Sequence, residues 1–479
     1  MSDIAEIPVD EQERPLPPPP PPIRSVLTEG PILRTLLSLA WPNAIGLSAG
    51  ICVVIAETSY VGRLGVEALA AMALVFPTII LTMTMSGGAM GGAVASAIAR
   101  ALGAGNRERA GILAVHAMLI GISFGLVFML GMLIFGPRLL EMLGGRGDVL
   151  THAIAYTQVF FGGAVLPWLL NTMAGILRGT GNMKLPSFLI LNSAAWQIVL
   201  GGTLGLGLGP VPQFGMRGVA AGALIAYTMN IGIMAWYLFS GRARITLKLR
   251  GLRIQWAMFF DILKVGAIAC FSPLQSVLTI SIFTHMLAQF GTAILAGYGV
   301  GARLEFLLTS IAFSFGIACV PMVGMAIGAG RIARARRIAW TASVAAFVAV
   351  GAPACLVAIF PDLWVNMFTD SAEVRAASHQ YLATVGPFYA FFGLATTMYF
   401  SSQGAAKVIG PVLAQTARLI YIAGVGWWLS THGASAQSFF WLAASSMVVL
   451  GLLSCSSVVL TRWGPREGKP AIAPALVVD

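Results

Sequence analysis

The chain has 479 residues, of which 57% are hydrophobic and only 10% are charged. An ordinary soluble domain carries about 25% charged residues, so a soluble fold could not cover its surface, and the same arithmetic excludes disordered, collagen-like and disulfide-rich classes. A polytopic membrane protein remains. At about 20 apolar residues per crossing, the length allows roughly a dozen helices.

The N-terminal residues do not resemble a cleavable signal. Residues 1–14 are acidic and polar, and residues 17–22 form a proline run, which is typical of a disordered polyproline segment. We therefore expect residues 1–32 to form a disordered, Pro-rich cytoplasmic tail.

Apolar runs separated by charged and glycine-rich breaks predict twelve transmembrane helices, an all-α polytopic fold. The expected segments are 33–60, 68–98, 110–135, 153–177, 185–208 and 217–240, then 259–288, 292–326, 338–360, 378–402, 408–430 and 437–460. They form two pseudo-symmetric six-helix lobes, residues 33–240 and 258–461, followed by a cytoplasmic tail over 462–479.

The net charge of +11 is distributed unevenly among the loops. The two tails and the even-numbered loops, with the adjoining ends of the segments, hold 21 lysines and arginines, whereas the odd-numbered loops hold five. By the positive-inside rule, both termini lie in the cytoplasm. Residues 241–257 form a basic cytoplasmic linker, which favours contact with anionic lipid over nucleic acid.

The two halves repeat each other with a shift of 225 or 226 residues. The shift holds over more than a hundred residues, and six crossings per half make the repeats parallel, about an axis along the membrane normal. Two such lobes with a cleft between them are typical of a transporter that works by alternating access. The matched positions include Gly103 and Gly328, Arg109 and Arg334, Tyr156 and Tyr381, Gly179 and Gly404, and Pro186 and Pro411.

Several motifs resemble the multidrug and toxic compound extrusion (MATE) family of efflux antiporters, over residues 33–460. The most specific is the end of segment one, Glu57-Thr-Ser-Tyr-Val-Gly-Arg-Leu-Gly65, followed by Glu67-Ala-Leu-Ala70. Gly103-Ala-Gly-Asn106 and Leu177-Arg-Gly-Thr-Gly-Asn182 resemble the second and fourth loops of the family. The resemblance implies two six-helix lobes, a cation gradient as energy source, and export of cationic or amphipathic organic compounds.

Glu57 is the main candidate for binding the coupling ion. A charge within a bilayer costs roughly 3 kcal/mol at mid-helix on insertion scales, so an acid retained there is a functional candidate. Burial penalises the charged form of a carboxyl group, which lets such an acid take up a proton on one side and lose it on the other. The alternatives are a carboxylate that holds Na⁺ or a cationic drug, and a neutral Glu57 that only hydrogen-bonds a neighbouring helix.

Polar side chains that could surround Glu57 are Asn43, Tyr60, Asn171, Gln197 and Asn230. The family resemblance implies an Asn on segment five followed four residues later by an Asp, and these positions hold Gln197 and Gly201 here. A paired-carboxylate site is therefore not expected, and strong Na⁺ binding is disfavoured. For Asn171 and Asn230, a hydrogen bond that packs two helices together is favoured over a role at Glu57.

Glu305, in segment eight, is the second acid within the crossings, and we expect it to form a structural ion pair with Lys264 or Arg418. Segment ten has no acid, so the second lobe is not expected to bind the coupling cation. The five cysteines lie in apolar runs without metal-ligand spacing, and no P-loop or nucleophile–base pair is present, so we expect no cofactor, metal site or enzyme.

The sequence thus predicts a plasma- or inner-membrane multidrug efflux antiporter, whose partners are organic cations or amphipathic drugs, H⁺ or less favourably Na⁺, and membrane lipid. A lipid-linked oligosaccharide flippase of the same superfamily is the alternative. A receptor or scaffold without transport is disfavoured by the two-lobe repeat and its buried acid.

Overall fold

The computed structural model describes residues 26–245, 247 and 254–464, and within these ranges the chain forms helices and no strand. The expected proline-rich segment, most of the C-terminal tail, and Lys248, Arg250 and Arg253 of the linker lie outside the described residues. Residues 26–31 were expected to belong to the disordered tail, but a short helix, α1 (Val26–Glu29), forms there. An ion pair of 3.1 Å between Glu29 of this helix and Arg331 links it to the second half of the chain.

The remaining helices follow in chain order. They are α2 (Ile32–Gly62), α3 (Val66–Met83), α4 (Gly91–Gly103), α5 (Arg107–Met142), α6 (Gly147–Gly162), α7 (Val165–Gly179), α8 (Lys184–Leu206), α9 (Gly215–Phe239), α10 (Trp256–Ala269), α11 (Phe271–Ala288), α12 (Thr292–Gly328), α13 (Ile332–Ile359), α14 (Asp362–Val365), α15 (Ala372–Val385), α16 (Tyr389–Gly404), α17 (Ile409–Thr431) and α18 (Ala436–Leu460).

Apart from the short α14, which lies between the ninth and tenth segments, these helices group into the twelve expected segments, and four of the segments are interrupted. In the described residues ten helices are long and apolar enough to cross a membrane, and an eleventh crossing is counted if α6 and α7, which meet at 48°, are one span. The tenth segment, α15 and α16 with a 3₁₀ turn between them, is the repeat of this bent pair. Its first turn carries Glu373, so it is less apolar than the others.

Two other interruptions lie where the lobes meet. The second segment contains a π-helical stretch, Thr84–Met90, between α3 and α4, and the seventh breaks at Cys270 between α10 and α11. A π-helical stretch leaves backbone carbonyls out of the regular α-helical ladder. Neither break was expected, although Ser86-Gly-Gly88 lies at the first and Pro273, which lacks a backbone N–H, follows the second.

The first helix of each half packs on the other half. The first part of α2 packs against α12, and α10 packs against α4 and the π-helical stretch, so residues 258–269, expected in the second lobe, share a core with the first. Gly266 lies against Met90, and the Cys270 thiol points to the Met85 carbonyl. This exchange follows the repeat, since α2 and α10 occupy equivalent positions in the two halves.

The lobes meet at the end of the bundle that carries residues 104–106 and 329–331, which we call the basic end. Gly103 lies against the Met325 carbonyl and Gly328 against the Arg100 carbonyl, so close that a methyl group on either glycine would collide with backbone. Small residues allow helices to approach this closely in membranes, where packing drives association. Ser96 adds a hydrogen bond across the boundary, donating to the Gln403 carbonyl at 2.6 Å.

Charges reinforce the same end. Asp261 of α10 accepts from Arg100 at 3.1 Å and Arg109 at 3.2 Å, both in the first lobe, and pairs with Lys264 at 2.7 Å on its own helix. In the repeat, Arg334 stands in place of Arg109 and donates to the Gly30 carbonyl at 2.6 Å. Arg109 and Arg334, at repeat-related positions, therefore each link the two halves of the chain.

Candidate functional site

Glu57 lies in the first lobe, on the face of α2 that packs against α8, and is only 5% exposed. Its Oε1 accepts a hydrogen bond from Gln197 Nε2 of α8 at 2.8 Å. Gln197 therefore meets the expectation that it contacts the acid. A neutral amide is the donor, so Glu57 is buried in the lobe without a cation at hydrogen-bond distance among the described residues.

Two tyrosines complete the surroundings of Glu57. Tyr227 of α9 donates from its hydroxyl to Gln197 Oε1 at 3.5 Å, which extends the chain of hydrogen bonds to a third helix. Tyr60 lies one turn after Glu57 on α2, and its hydroxyl is buried without a hydrogen-bond partner in the described part of the chain. A methyl group on Gly201 would come within 2.7 Å of that hydroxyl. Tyr60 thus occupies the space that an acid at position 201 would need.

The three asparagines do not join this network. Asn43 accepts from Ser187 at 3.1 Å, Asn171 donates to Ser86 Oγ at 2.8 Å, and Asn230 accepts from Asn192 at 3.0 Å. Asn43 shares a helix face with Glu57, but 14 residues place it about 21 Å away along the axis. None of the three asparagines contacts Glu57, and each instead links two helices, the role that the sequence favours for Asn171 and Asn230.

Sequence reasoning missed Tyr227. Asn230 was selected on α9 because its amide is the more obvious ligand, yet Tyr227, one turn earlier on the same helix, is the residue at the level of Gln197. Residues three apart on a helix lie on neighbouring positions of one face. A search of the same face for hydroxyl groups would have found it.

Glu305 lies in the second lobe, on α12, and forms no ion pair within 4.0 Å in the described residues. Its Oε2 accepts from the Tyr389 hydroxyl at 3.3 Å, and Tyr389 is 3.2 Å from the Tyr381 hydroxyl. The two expected partners are engaged elsewhere: Lys264 pairs with Asp261, and Arg418 donates from Nε to Ser446 Oγ at 3.3 Å. The expectation of a direct structural ion pair is therefore wrong.

Glu305 instead lines a cavity of about 370 Å³ between α11, α12, α16 and α17. The cavity reaches the first lobe at Thr84 and Gly88, where the π-helical stretch passes, so it lies beside the boundary between the lobes. Arg418 and Gln415 of α17 line the same space. This volume is within the range of small-molecule sites in proteins.

The described residues contain no group of three or more His, Cys, Asp or Glu side chains that could hold a metal ion. His116 is engaged structurally, since one ring nitrogen lies 2.8 Å from the Ile112 carbonyl and the other accepts from the Gln255 amide at 3.0 Å. The candidate chemistry of the site resides in the two glutamates, Glu57 and Glu305.

Comparison with known proteins agrees with this architecture. The MatE family model matches the chain twice, over residues 44–203 and 269–428, which are displaced by the same 225 residues as the sequence repeat. Among curated relatives, a FAD transporter of Shewanella oneidensis is 27% identical over 66% of this chain and 69% of its own length. A probable multidrug resistance protein, NorM of Deinococcus radiodurans, is 26% identical over 92% of this chain and 97% of its own.

Solved structures share the fold. A transporter of the MOP superfamily from Pyrococcus furiosus superposes with a TM-score of 0.84 at 22% identity, covering 91% of this chain and 97% of that one. A multidrug resistance MATE transporter in an outward-facing conformation gives a TM-score of 0.82 at 23% identity, covering 90% and 96%. Because the family model covers most of the chain in two copies, this protein belongs to the MatE family of multi-pass membrane transporters.

Proposed function

We propose that the protein is a secondary active exporter that moves amphipathic organic compounds, cationic drugs among them, out of the cell in exchange for H⁺. The observation that carries the proposal is the isolated burial of Glu57, 5% exposed and bonded to one neutral amide. A carboxyl group in such a place binds and releases a proton according to whether water reaches it. Relatives named for FAD and for multidrug resistance support a broad organic cargo.

The surroundings of Glu57 favour H⁺ over Na⁺. Hard cations require several oxygen ligands, whereas Gln197 turns its NH₂ group towards the acid and its oxygen towards Tyr227. Position 201, where a second carboxylate would stand, is a glycine whose side-chain space Tyr60 fills. One carboxyl group suffices for a proton.

The proposed orientation places the basic end in the cytoplasm, since the loops there carry most of the cations. With that orientation, the contacts of Asp261, Ser96 and Gly328 close the cytoplasmic side. Transport then requires the lobes to separate on that side. The glycine contacts, the Ser96 hydrogen bond and the arginine pairs are the contacts that must break. Rocking of two repeat-related lobes about a site between them is the general form of alternating access.

Ethidium efflux from proteoliposomes tests the proposal, with a pH gradient and a Na⁺ gradient imposed separately at zero membrane potential. We expect dye movement with the pH gradient alone, abolished by nigericin in K⁺ buffer. Movement with the Na⁺ gradient alone would contradict H⁺ coupling. The absence of dye movement under both gradients, together with scrambling of labelled lipids, would favour the flippase alternative.

A further inference from the structure

The cavity of the second lobe contains one acid and one base that do not neutralise each other directly. Glu305 and Arg418 both line it, yet no oxygen of Glu305 lies within 4.0 Å of a nitrogen of Arg418, the limit within which the ion pairs of the described residues fall. Charges within a membrane protein are costly, and those that are retained face a cavity or a partner. The two side chains therefore share the cavity without forming a direct ion pair.

Arg418 keeps hydrogen-bonding capacity for a ligand. It is 8% exposed, and its Nε donates to Ser446 Oγ, which fixes the guanidinium plane. The described structure gives its two terminal nitrogens no hydrogen bond, and these nitrogens form the fork that matches a carboxylate or phosphate. Arg418 is thus held in place by a partner outside the cavity and presents its strongest donors towards it.

Glu305 is held in the same manner from the other wall. Tyr389 donates to Oε2 at 3.3 Å, and Tyr389 is itself fixed by Tyr381. The described residues provide no donor for Oε1, so one oxygen remains for a cationic ligand. Buried tyrosines that brace a carboxylate give the acid a defined direction, which is what selective recognition of a cation requires.

Aromatic side chains form much of the wall between the two charges. Phe306, Phe313, Phe392, Tyr399 and Phe400 line the cavity, with Gln415 as a neutral polar side chain. Flat rings of this kind stack against aromatic ligands and attract delocalised cations. The cavity therefore combines an acid that can bind a cation, a guanidinium that can bind an anion, and an aromatic lining.

We propose that this cavity binds amphipathic zwitterions, with the cationic group of the ligand on Glu305 and its carboxylate or phosphate on Arg418. The inference rests on the proposed export function and names the class of cargo. It separates the two glutamates by role: Glu57 of the first lobe binds the coupling proton, and Glu305 of the second binds cargo. A cargo with both charges satisfies the cavity, whereas a plain cation leaves the guanidinium unpaired, which is costly in a buried site.

The test uses rhodamine B, which carries a delocalised cation and a carboxylate, and its ethyl ester, in which an ethyl group caps the carboxylate and only the cationic charge remains. Binding of each dye to the full-length protein in nanodiscs is measured by fluorescence anisotropy. We expect Arg418→Gln to weaken rhodamine B binding at least about ten-fold, equivalent to about 1.4 kcal/mol, and to change ester binding less than about two-fold. Glu305→Gln should weaken both dyes.

Arg303→Gln is the matched control, because Arg303 lies on the same helix as Glu305 but stacks on Phe368 at 5.1 Å, outside the cavity. If Arg418→Gln does not fold, Arg418→Lys retains the charge and should preserve the preference of the protein for rhodamine B over the ester. Equal effects of Arg418→Gln on the two dyes, or none, would overturn the proposal, as would loss of the preference for rhodamine B in Arg418→Lys. Binding is measured without an ion gradient, so its result is independent of whether H⁺ drives export.

Discussion

Arg100 of α4 donates to Asp261 of α10 at 3.1 Å, with both side chains almost buried, and this pair ties the first helix of the second half to the first lobe at the basic end. Asp261 also pairs with Arg109 and Lys264, so one carboxylate contacts three cations. Removing it leaves three positive charges packed together, which is far more costly than losing an exposed pair.

Asp261→Asn is therefore expected to shift the protein towards a state with the basic end open, where water can reach the arginines. Breaking a buried pair costs about 3–5 kcal/mol, enough to invert a conformational equilibrium. Positions 108 and 333 are exposed on the two lobes at this end. Spin labels placed there should move apart, as measured by double electron–electron resonance. Asp362→Asn, which removes an exposed pair with Arg375 elsewhere, is the control, and an unchanged distance in Asp261→Asn would contradict the account.

Gly92→Ala is expected to displace the side chain of Gln403 and to weaken its hydrogen bonds. A methyl group there would collide with the side-chain amide of Gln403, which donates to the Ala89 carbonyl at 2.7 Å and to that of Gly88 at 3.3 Å. Overpacking of this kind costs about 1–3 kcal/mol, so thermal unfolding of Gly92→Ala in detergent should occur at lower temperature. Gly50→Ala is the control, since no atom lies within 4 Å of the added carbon and helix propensity favours alanine. Equal stability of the two variants would contradict this contact.

The sequence was sufficient for the features that depend on one helix or on the repeat. Apolar runs predicted the crossings, and the shift of 225 residues predicted the pseudo-symmetry that Arg109 and Arg334 display. The sequence was not sufficient for contacts that depend on the distance between side chains on different helices. Asn43 lies on the same helix face as Glu57 but too far along the axis to contact it. Glu305 accepts from Tyr389, and the two cations expected to pair with it bond elsewhere. The break at Cys270 was not expected, although Pro273, which cannot donate a backbone hydrogen bond within a helix, lies three residues after it.

Glu305→Gln should raise the substrate concentration needed for half-maximal transport, but proton-driven transport should persist at saturating substrate. The reason is that Glu305 faces the cavity and lies in the other lobe from Glu57. Initial rates across a substrate series in proteoliposomes, normalised to folded protein, separate the two effects. A variant that folds normally and transports nothing at any concentration would mean that the coupling ion binds in the second lobe.

The orientation predicts which face of the membrane each loop reaches. In a variant lacking the five native cysteines, a cysteine at position 108 should react with an impermeant maleimide only after the cells are opened. A cysteine at position 370, on the opposite end of the bundle and exposed, should react in intact cells. The reverse pattern would place the basic end outside and would invert the proposed direction of closure.

The central claim is that Glu57 carries the coupling proton, and proton-driven efflux by Glu57→Gln tests it most directly. The substituted amide resembles the protonated acid, so the variant should fold and bind dye, but it cannot discharge. In proteoliposomes with an imposed pH gradient, we expect its ethidium efflux to fall to the level of protein-free vesicles, while Glu57→Asp retains part of the rate. Full proton-driven efflux by Glu57→Gln would contradict the account.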